Sequence, residues 1–333
     1  VKGQGTIHVR RHVPRLYSWW VEVQGDLDTG AETVPEPDLS YDGDRGMVEG
    51  FGLKKDRYGF LLQPFDTLIQ ASASWAVGRS QPILDYRQFF QNRLGSGDFE
   101  FRGRYSGIEI VRFYGLGNET IEVEDADFYE VHQKQLLLSA DLSFGDGHRR
   151  QISLGPIFRH TSSDTSSEGT LLTQLQPYGT GRFSQAGLRM SLKLDGRDME
   201  RAPKRGYHIQ GGASYYPDAL DVESPFGEIH GEAAFYSSPR GGNPTLAVRA
   251  GGKKLWGTFP YSDAAFLGGS DNVRGLREQR LAGDASVYGS AELRVFVTRF
   301  FLLFPVDFGV LGLTDLGRVF LEGDSSSRWH QSW

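Results

Sequence analysis

From Gln135 to Phe144 apolar and polar residues take turns: Leu136, Leu138, Ala140, Leu142 and Phe144 alternate with Gln135, Leu137, Ser139, Asp141 and Ser143. A period of two sends successive side chains to opposite faces, so this stretch is a strand with one greasy face and one mostly polar face. The pattern returns in 67–78, where Ile69, Ala71, Ala73, Trp75 and Val77 oppose Gln70, Ser72 and Ser74. It returns again where Ala186, Leu188, Met190, Leu192 and Leu194 oppose Arg189, Ser191, Lys193 and Asp195. Two cations of one parity point to a wet interior. No apolar run reaches the roughly eighteen residues a membrane helix needs. That excludes helical spans; a mean hydropathy of −0.41 does not exclude a transmembrane barrel, whose strands average out between lipid and lumen.

The 333 residues suit one all-β barrel better than two soluble domains. A net charge of −6 without a basic stripe argues against nucleic acid, and the absence of cysteine removes disulfides and thiolate metal sites. Val1 is not followed by a charged and then apolar leader, so the expectation is an export signal already cut away, or a piece of something longer.

In chain order, residues 1–14 form a lead-in without a clean period, and residues 15–333 form the barrel. Strands are expected at 17–27, 47–58, 67–78, 83–91, 99–113, 130–144, 150–160, 186–195, 207–216, 227–236 and 245–256. Between the first two lies an acidic, proline-bearing loop through Val34, Pro35, Glu36, Pro37 and Asp44. A Ser/Thr-rich loop, 161–181, suits exposure. Two further strands, 285–297 and 306–320, follow a long connection, and the chain stops early in a fourteenth. Long connections after the first, fifth, seventh and eleventh strands and short ones after the sixth and tenth match the external loops and periplasmic turns of outer-membrane barrels; the connection from Asp195 to Gly206 after the eighth is the exception, longer than that rule predicts. The rings of Tyr215, Tyr216, Phe226, Phe235, Tyr236, Trp256, Phe259 and Tyr261 gather near strand ends, where interfacial girdles lie.

The long connection, 257–285, holds the glycine-dense stretch Phe266-Leu-Gly-Gly-Ser-Asp-Asn-Val-Arg-Gly-Leu276 with one committed cation, Arg274. If this loop folds back into the lumen, its guanidinium needs fixed carboxylate partners. Glu292 and Asp315 are the two candidates. Glu292 shares inward parity with Ser286, Tyr288, Ser290 and Arg294.

These residues carry a resemblance. The chain resembles the BamA/TamA family of outer-membrane assembly and translocation barrels, also called bacterial surface antigens, over nearly its whole length. The family's sixth external loop carries Gly-Gly, a short spacer and Val-Arg-Gly-aromatic; Gly268, Gly269, Val273, Arg274 and Gly275 match, and Leu276 departs from the aromatic. Gly289-Ser-Ala-Glu292 and Asp315-Leu-Gly317 are similar to the family's lumen motifs. Pro203-Lys-Arg205-Gly206-Tyr207 is similar to its turn into the ninth strand. The resemblance implies a sixteen-stranded barrel, here truncated after about thirteen strands. It implies a seam between first and last strands that works by strand addition in the cell outer membrane, on client polypeptides. It also implies an upstream periplasmic or fused domain; residues 112–120 are similar to a subgroup that follows a calcineurin-like phosphoesterase or patatin-like domain.

The function expected is thus insertion of outer-membrane proteins or translocation of polypeptide, without enzyme activity, nucleotide or cofactor. A passive pore or anchor for an attached hydrolase is the alternative, and a soluble β-sandwich enzyme comes third. Other signals are bland. His8 and His12 have helical metal spacing where no helix is expected, and Gly323-Asp324-Ser325 has no triad around it. Gly115-Leu-Gly117 is a turn, and Trp19-Trp20 an interfacial pair.

Overall fold

Alternation becomes strand almost wherever it occurs. The computed structural model describes residues 30–333 except 60–61, 95, 123, 147–148, 166–168, 240–241 and 303. Its strands are β1 (Ala31–Asp42), β2 (Gly46–Gly59), β3 (Leu62–Ala76), β4 (Gln81–Leu94), β5 (Gly97–Arg112), β6 (Glu130–Gly145), β7 (Arg150–Ser163), β8 (Arg182–Asp195), β9 (Gly206–Tyr216), β10 (Phe226–Ser237) and β11 (Thr245–Trp256). After a long loop come β14 (Ala285–Phe301), β15 (Pro305–Phe320) and β16 (His330–Ser332), the loop itself holding a small hairpin of β12 (Ala265–Leu267) and β13 (Leu281–Gly283). Fourteen strands form one antiparallel sheet in sequence order, from β1 to β11 and on through β14, β15 and β16. The sheet is curled, because Asn118, just after β5, accepts a hydrogen bond from the backbone N–H of Val319 on β15 (3.0 Å). Among the described residues no helix is long and apolar enough to cross a membrane.

The outer face is greasy. Leu188, Met190 and Leu192 on β8 and Leu246 and Val248 on β11 are exposed, while Arg189 turns inward to Asp141. Two cross-strand rows mark the ends of this band. Tyr215 and Trp256 flank Gly227 at one end, and Tyr207, Phe235 and Val248 line up at the other. Tyr207 and Tyr215 are eight residues apart, about 26 Å along a strand and about 20 Å in height at a tilt near 40°, close to the apolar band of an outer-membrane barrel.

Three expectations need correcting. Residues 34–44 are not a loop over most of their length. They belong to β1, which pairs with β2 from Ala31 opposite Arg57 to Asp42 opposite Gly46. Prolines and acids are tolerated there because β1 ends the sheet of the described residues, where one parity of its backbone N–H groups has no ladder partner to lose. The strand expected at 17–27, the lead-in, His8, His12 and Trp19-Trp20 lie outside the described residues.

The girdle is the second correction. Tyr216, Phe226 and Tyr261 are buried, and Tyr216 stacks on Phe226 at 4.6 Å. Neighbours on a strand face opposite ways, so Tyr215 and Tyr216 cannot both meet lipid. Tyr216 and Phe226 join Ile157, Phe183 and Val222 in an internal cluster, with Leu137 and Phe259 packed against it. The third concerns the Ser/Thr-rich segment. Thr161 and Ser163 are buried at the end of β7, and a short helix, Leu171–Leu175, buries Leu172. With Phe113, Val131 and Tyr261, Leu172 forms a second apolar cluster.

Candidate functional site

The β12–β13 hairpin carries Arg274 into the lumen, and local chemistry shapes its tip. Gly268 and Gly269 sit at φ of +120° and +96°, where a side chain is strained. A Cβ on Gly268 would also lie 2.1 Å from the carbonyl oxygen of Arg277. Asn272 Oδ1 accepts the N–H groups of Gly268 (2.6 Å) and Val273 (2.8 Å), a side-chain turn that orients the next residue. Val273 is fully buried with Leu267, Leu281 and Val319, and Leu276 packs against this cluster in place of an aromatic. Gly275 leaves room for Ser332, whose Cβ would be 2.3 Å from a Cβ added there.

Arg274 then meets the wall. Its Nε and Nη2 donate to Asp315 Oδ2 (2.8 Å) and Oδ1 (2.6 Å), a two-pronged carboxylate grip. Its backbone N–H adds a third bond to Asp315 (3.0 Å). Nη1 donates to Glu292 Oε1 (2.5 Å) and Nη2 to Ser290 Oγ (2.8 Å), and Ser290 donates in turn to Asp315 (2.6 Å). Ser290 and Asp315 are direct cross-strand partners on β14 and β15. Asp315 has no exposed surface, so its charge relies on these donors. Glu292 keeps its second oxygen for Arg294 (2.6 Å).

No family model matches the sequence, and no curated protein matches it. Among solved structures, it is similar to the crystal structure of BamA from Haemophilus ducreyi lacking POTRA domains 1–3, with a TM-score of 0.63 and 12% identity over 88% of this chain and 58% of that one. The fold is that of a BamA-type barrel. The chain spans 58% of the length of that structure, and at this identity the likeness speaks to fold alone.

Within this BamA-type barrel the same loop is held at two further places that the sequence did not announce. Asp263, buried, pairs with Arg159 on β7 and accepts from Gln185 on β8 (2.7 Å). Beside it, the Tyr261 hydroxyl bonds Gln133 (2.6 Å) and Ser163 (2.8 Å). On the other flank Arg280 donates to the Thr120 carbonyl (2.5 Å) and lies over the Tyr114 ring at 4.8 Å, while Gln279 accepts the N–H of Arg112 (2.6 Å). The alternation that locates wall residues carries no signal inside a loop, which is why Asp263 went unseen; Arg159, an inward cation needing an acid, was the available clue.

The remaining sequence candidates lie elsewhere. Arg205 reaches from the β8–β9 turn to the carbonyls of Ser238 (3.2 Å) and Pro239 (2.7 Å), tying two neighbouring turns together. Gly206 sits at φ +110°, and a Cβ there would be 2.2 Å from the Gly196 carbonyl; Pro203 is buried beside it. These three are on the opposite end of the strands from the Arg274 loop and do not join it. Gly115 and Gly117 have positive φ, and Gly117 bridges to Ala282 (2.8 Å), so the pair forms a turn clipped to the inserted hairpin. Among the described residues no cluster of three or more His, Asp or Glu could hold a metal ion.

Proposed function

We propose that this chain is the membrane-embedded part of an outer-membrane machine that assists insertion of barrel proteins or passes polypeptide across the outer membrane. The observation that supports it is the grip of Arg274 on Asp315 and Glu292. It pins an inward-folded loop to β14 and β15 close to one end of the described sheet, while β1 ends that sheet on the other side and, among the described residues, pairs with β2 alone. An unpaired strand edge is a surface on which an extended segment can add by backbone hydrogen bonds. The inserted loop stiffens one side of the wall and leaves the seam as the part free to exchange partners. On this reading residues 15–333 act as one barrel domain. Its partners are outer-membrane lipid, a client polypeptide and an upstream periplasmic or fused domain, and the barrel does no covalent chemistry.

A passive anchor for an attached domain is the competing reading, favoured by the way the external loops lock onto one another through Arg280, Thr120 and Asn118. Two measurements on full-length protein in proteoliposomes separate the readings. If Arg274→Ala abolishes folding of an added unfolded outer-membrane barrel protein, scored by its heat-modifiable gel mobility, the machine stands. If folding is unaffected and pore conductance is also unchanged, Arg274 is a passive fastening and the proposal fails.

A further inference from the structure

The edge of β1 has an uneven set of backbone groups. Tyr58 donates its N–H to the carbonyl of Gly30 (3.0 Å), and the register places Ala31 opposite Arg57 and Glu32 opposite Asp56. In an antiparallel ladder, residues whose backbone groups face the partner alternate with residues whose groups face away. Even positions from Gly30 onward therefore bond β2. Ala31, Thr33, Pro35, Pro37, Leu39 and Tyr41 point their backbone groups outward. Since β1 ends the strand order of the described sheet, these six form its edge. Proline has no N–H to donate, so the edge presents a carbonyl at all six positions and a donor at only four, with both gaps side by side at its centre. The strand itself is held firmly in the wall. Glu36 and Asp38 reach across Gly52 and Gly50 of β2 to accept from Gln70 (2.6 Å) and Ser74 (2.7 Å) on β3.

We propose that Pro35 and Pro37 make β1 a template with a central gap, which holds an added extended polypeptide segment at Ala31 and Thr33 and at Leu39 and Tyr41. Two carbonyls of the added strand, opposite the prolines, find no donor. An unpaired carbonyl inside a membrane wall is costly, so the added strand is gripped at its ends and let go from its middle. The inference rests on the strand-addition reading above and specifies which positions engage. Two missing hydrogen bonds at about 1 kcal/mol each make release roughly 30-fold faster than from an unbroken edge.

The test uses the full chain in lipid nanodiscs and a fluorescent synthetic peptide with the sequence of residues 182–195, an amphipathic strand of this barrel. Release rate and amide exchange along β1 are both followed. Pro35→Ala with Pro37→Ala should slow release roughly 30-fold, and the bound peptide should protect the Thr33, Leu39 and Tyr41 amides in wild type. Thr33→Pro, which adds a third gap, should speed release roughly fivefold, for one bond of about 1 kcal/mol. Unchanged exchange in β2 and β3 shows that the wall is intact in each variant. Release at the wild-type rate from the double variant overturns the assignment. So does a peptide that fails to protect β1 while assembly still depends on Arg274, a result that spares the proposed function. Assembly indifferent to Arg274 would instead remove that function, whatever the peptide does.

Discussion

Gly317 on β15 leaves the hollow into which Val273 of the inserted loop packs: a Cβ built on Gly317 would lie 2.7 Å from Val273 Cγ2 and 2.9 Å from Leu267 Cδ1. The hollow is two residues from Asp315, so the apolar and ionic halves of the loop's attachment share one strand. Gly317→Ala should loosen the loop by about 1–3 kcal/mol, the usual range for overpacking. The same change at Gly312, where an added Cβ meets nothing within 4 Å, should shift stability by less than about 0.5 kcal/mol. Protease cleavage within 257–284 compares the two, and equal sensitivity would count against tight packing at Val273.

Asp263 is a second fastening for the same loop, on the opposite wall. Asp263→Asn removes the partner of a largely buried Arg159, and truncating one member of such a pair costs about 3 kcal/mol. Asp263 shares no contact with Asp315, so combining Asp263→Asn with Asp315→Asn should add the two losses to within about 0.5 kcal/mol. Denaturant unfolding of the loop, followed by exchange at Val273 and Ala264, measures the sum.

Asn118 fastens the loop after β5 to the segment after β15. Its side-chain amide donates to Ser326 (2.9 Å) and the Arg328 carbonyl (2.9 Å), and its backbone N–H donates to Asp324 (3.0 Å). The N–H groups of Asn118 and then Ser326 hold the Asp324 carboxyl below its ordinary value of 3.8. A depressed acid stabilises the fold fully above its unfolded pKa, and that contribution is lost as pH falls through the folded one. Protection of the amides at 116–120 and 324–328, taken relative to the intrinsic exchange rate at each pH, should therefore stay flat at neutral and mildly acidic pH and decline once the pH is below about 3.8. Asp324→Asn should abolish that dependence. Protection that does not change across that range would remove Asp324 from the fastening.

Much of the wall was legible because alternation is a direct record of two solvents. Glu292 and Asp315 were legible as partners for Arg274 because a guanidinium folded into a lumen has few carboxylates of inward parity to choose from. β1 was not, since Pro35, Pro37 and the acids between them describe a loop by local propensity, and only its place at the sheet's edge makes a strand of them. Tyr216, Phe226 and Tyr261 were misplaced because a ring near a strand end suits lipid or an internal plug equally well. Which of the two it meets depends on loops that pack under long-range contacts, and those leave no periodic trace.

Arg274 and Asp315 are the main tie between the inserted loop and the wall. The direct measurement is amide exchange at Val273 and Arg274 in wild type, in Arg274→Asp, in Asp315→Arg and in the double exchange of both. Each single change should free the loop, speeding exchange about 100-fold for a loss near 3 kcal/mol. The double should recover much of the protection but not all, because the Arg274 backbone N–H also bonds the Asp315 carboxylate. A double variant no better protected than either single, or single variants as protected as wild type, would contradict the account.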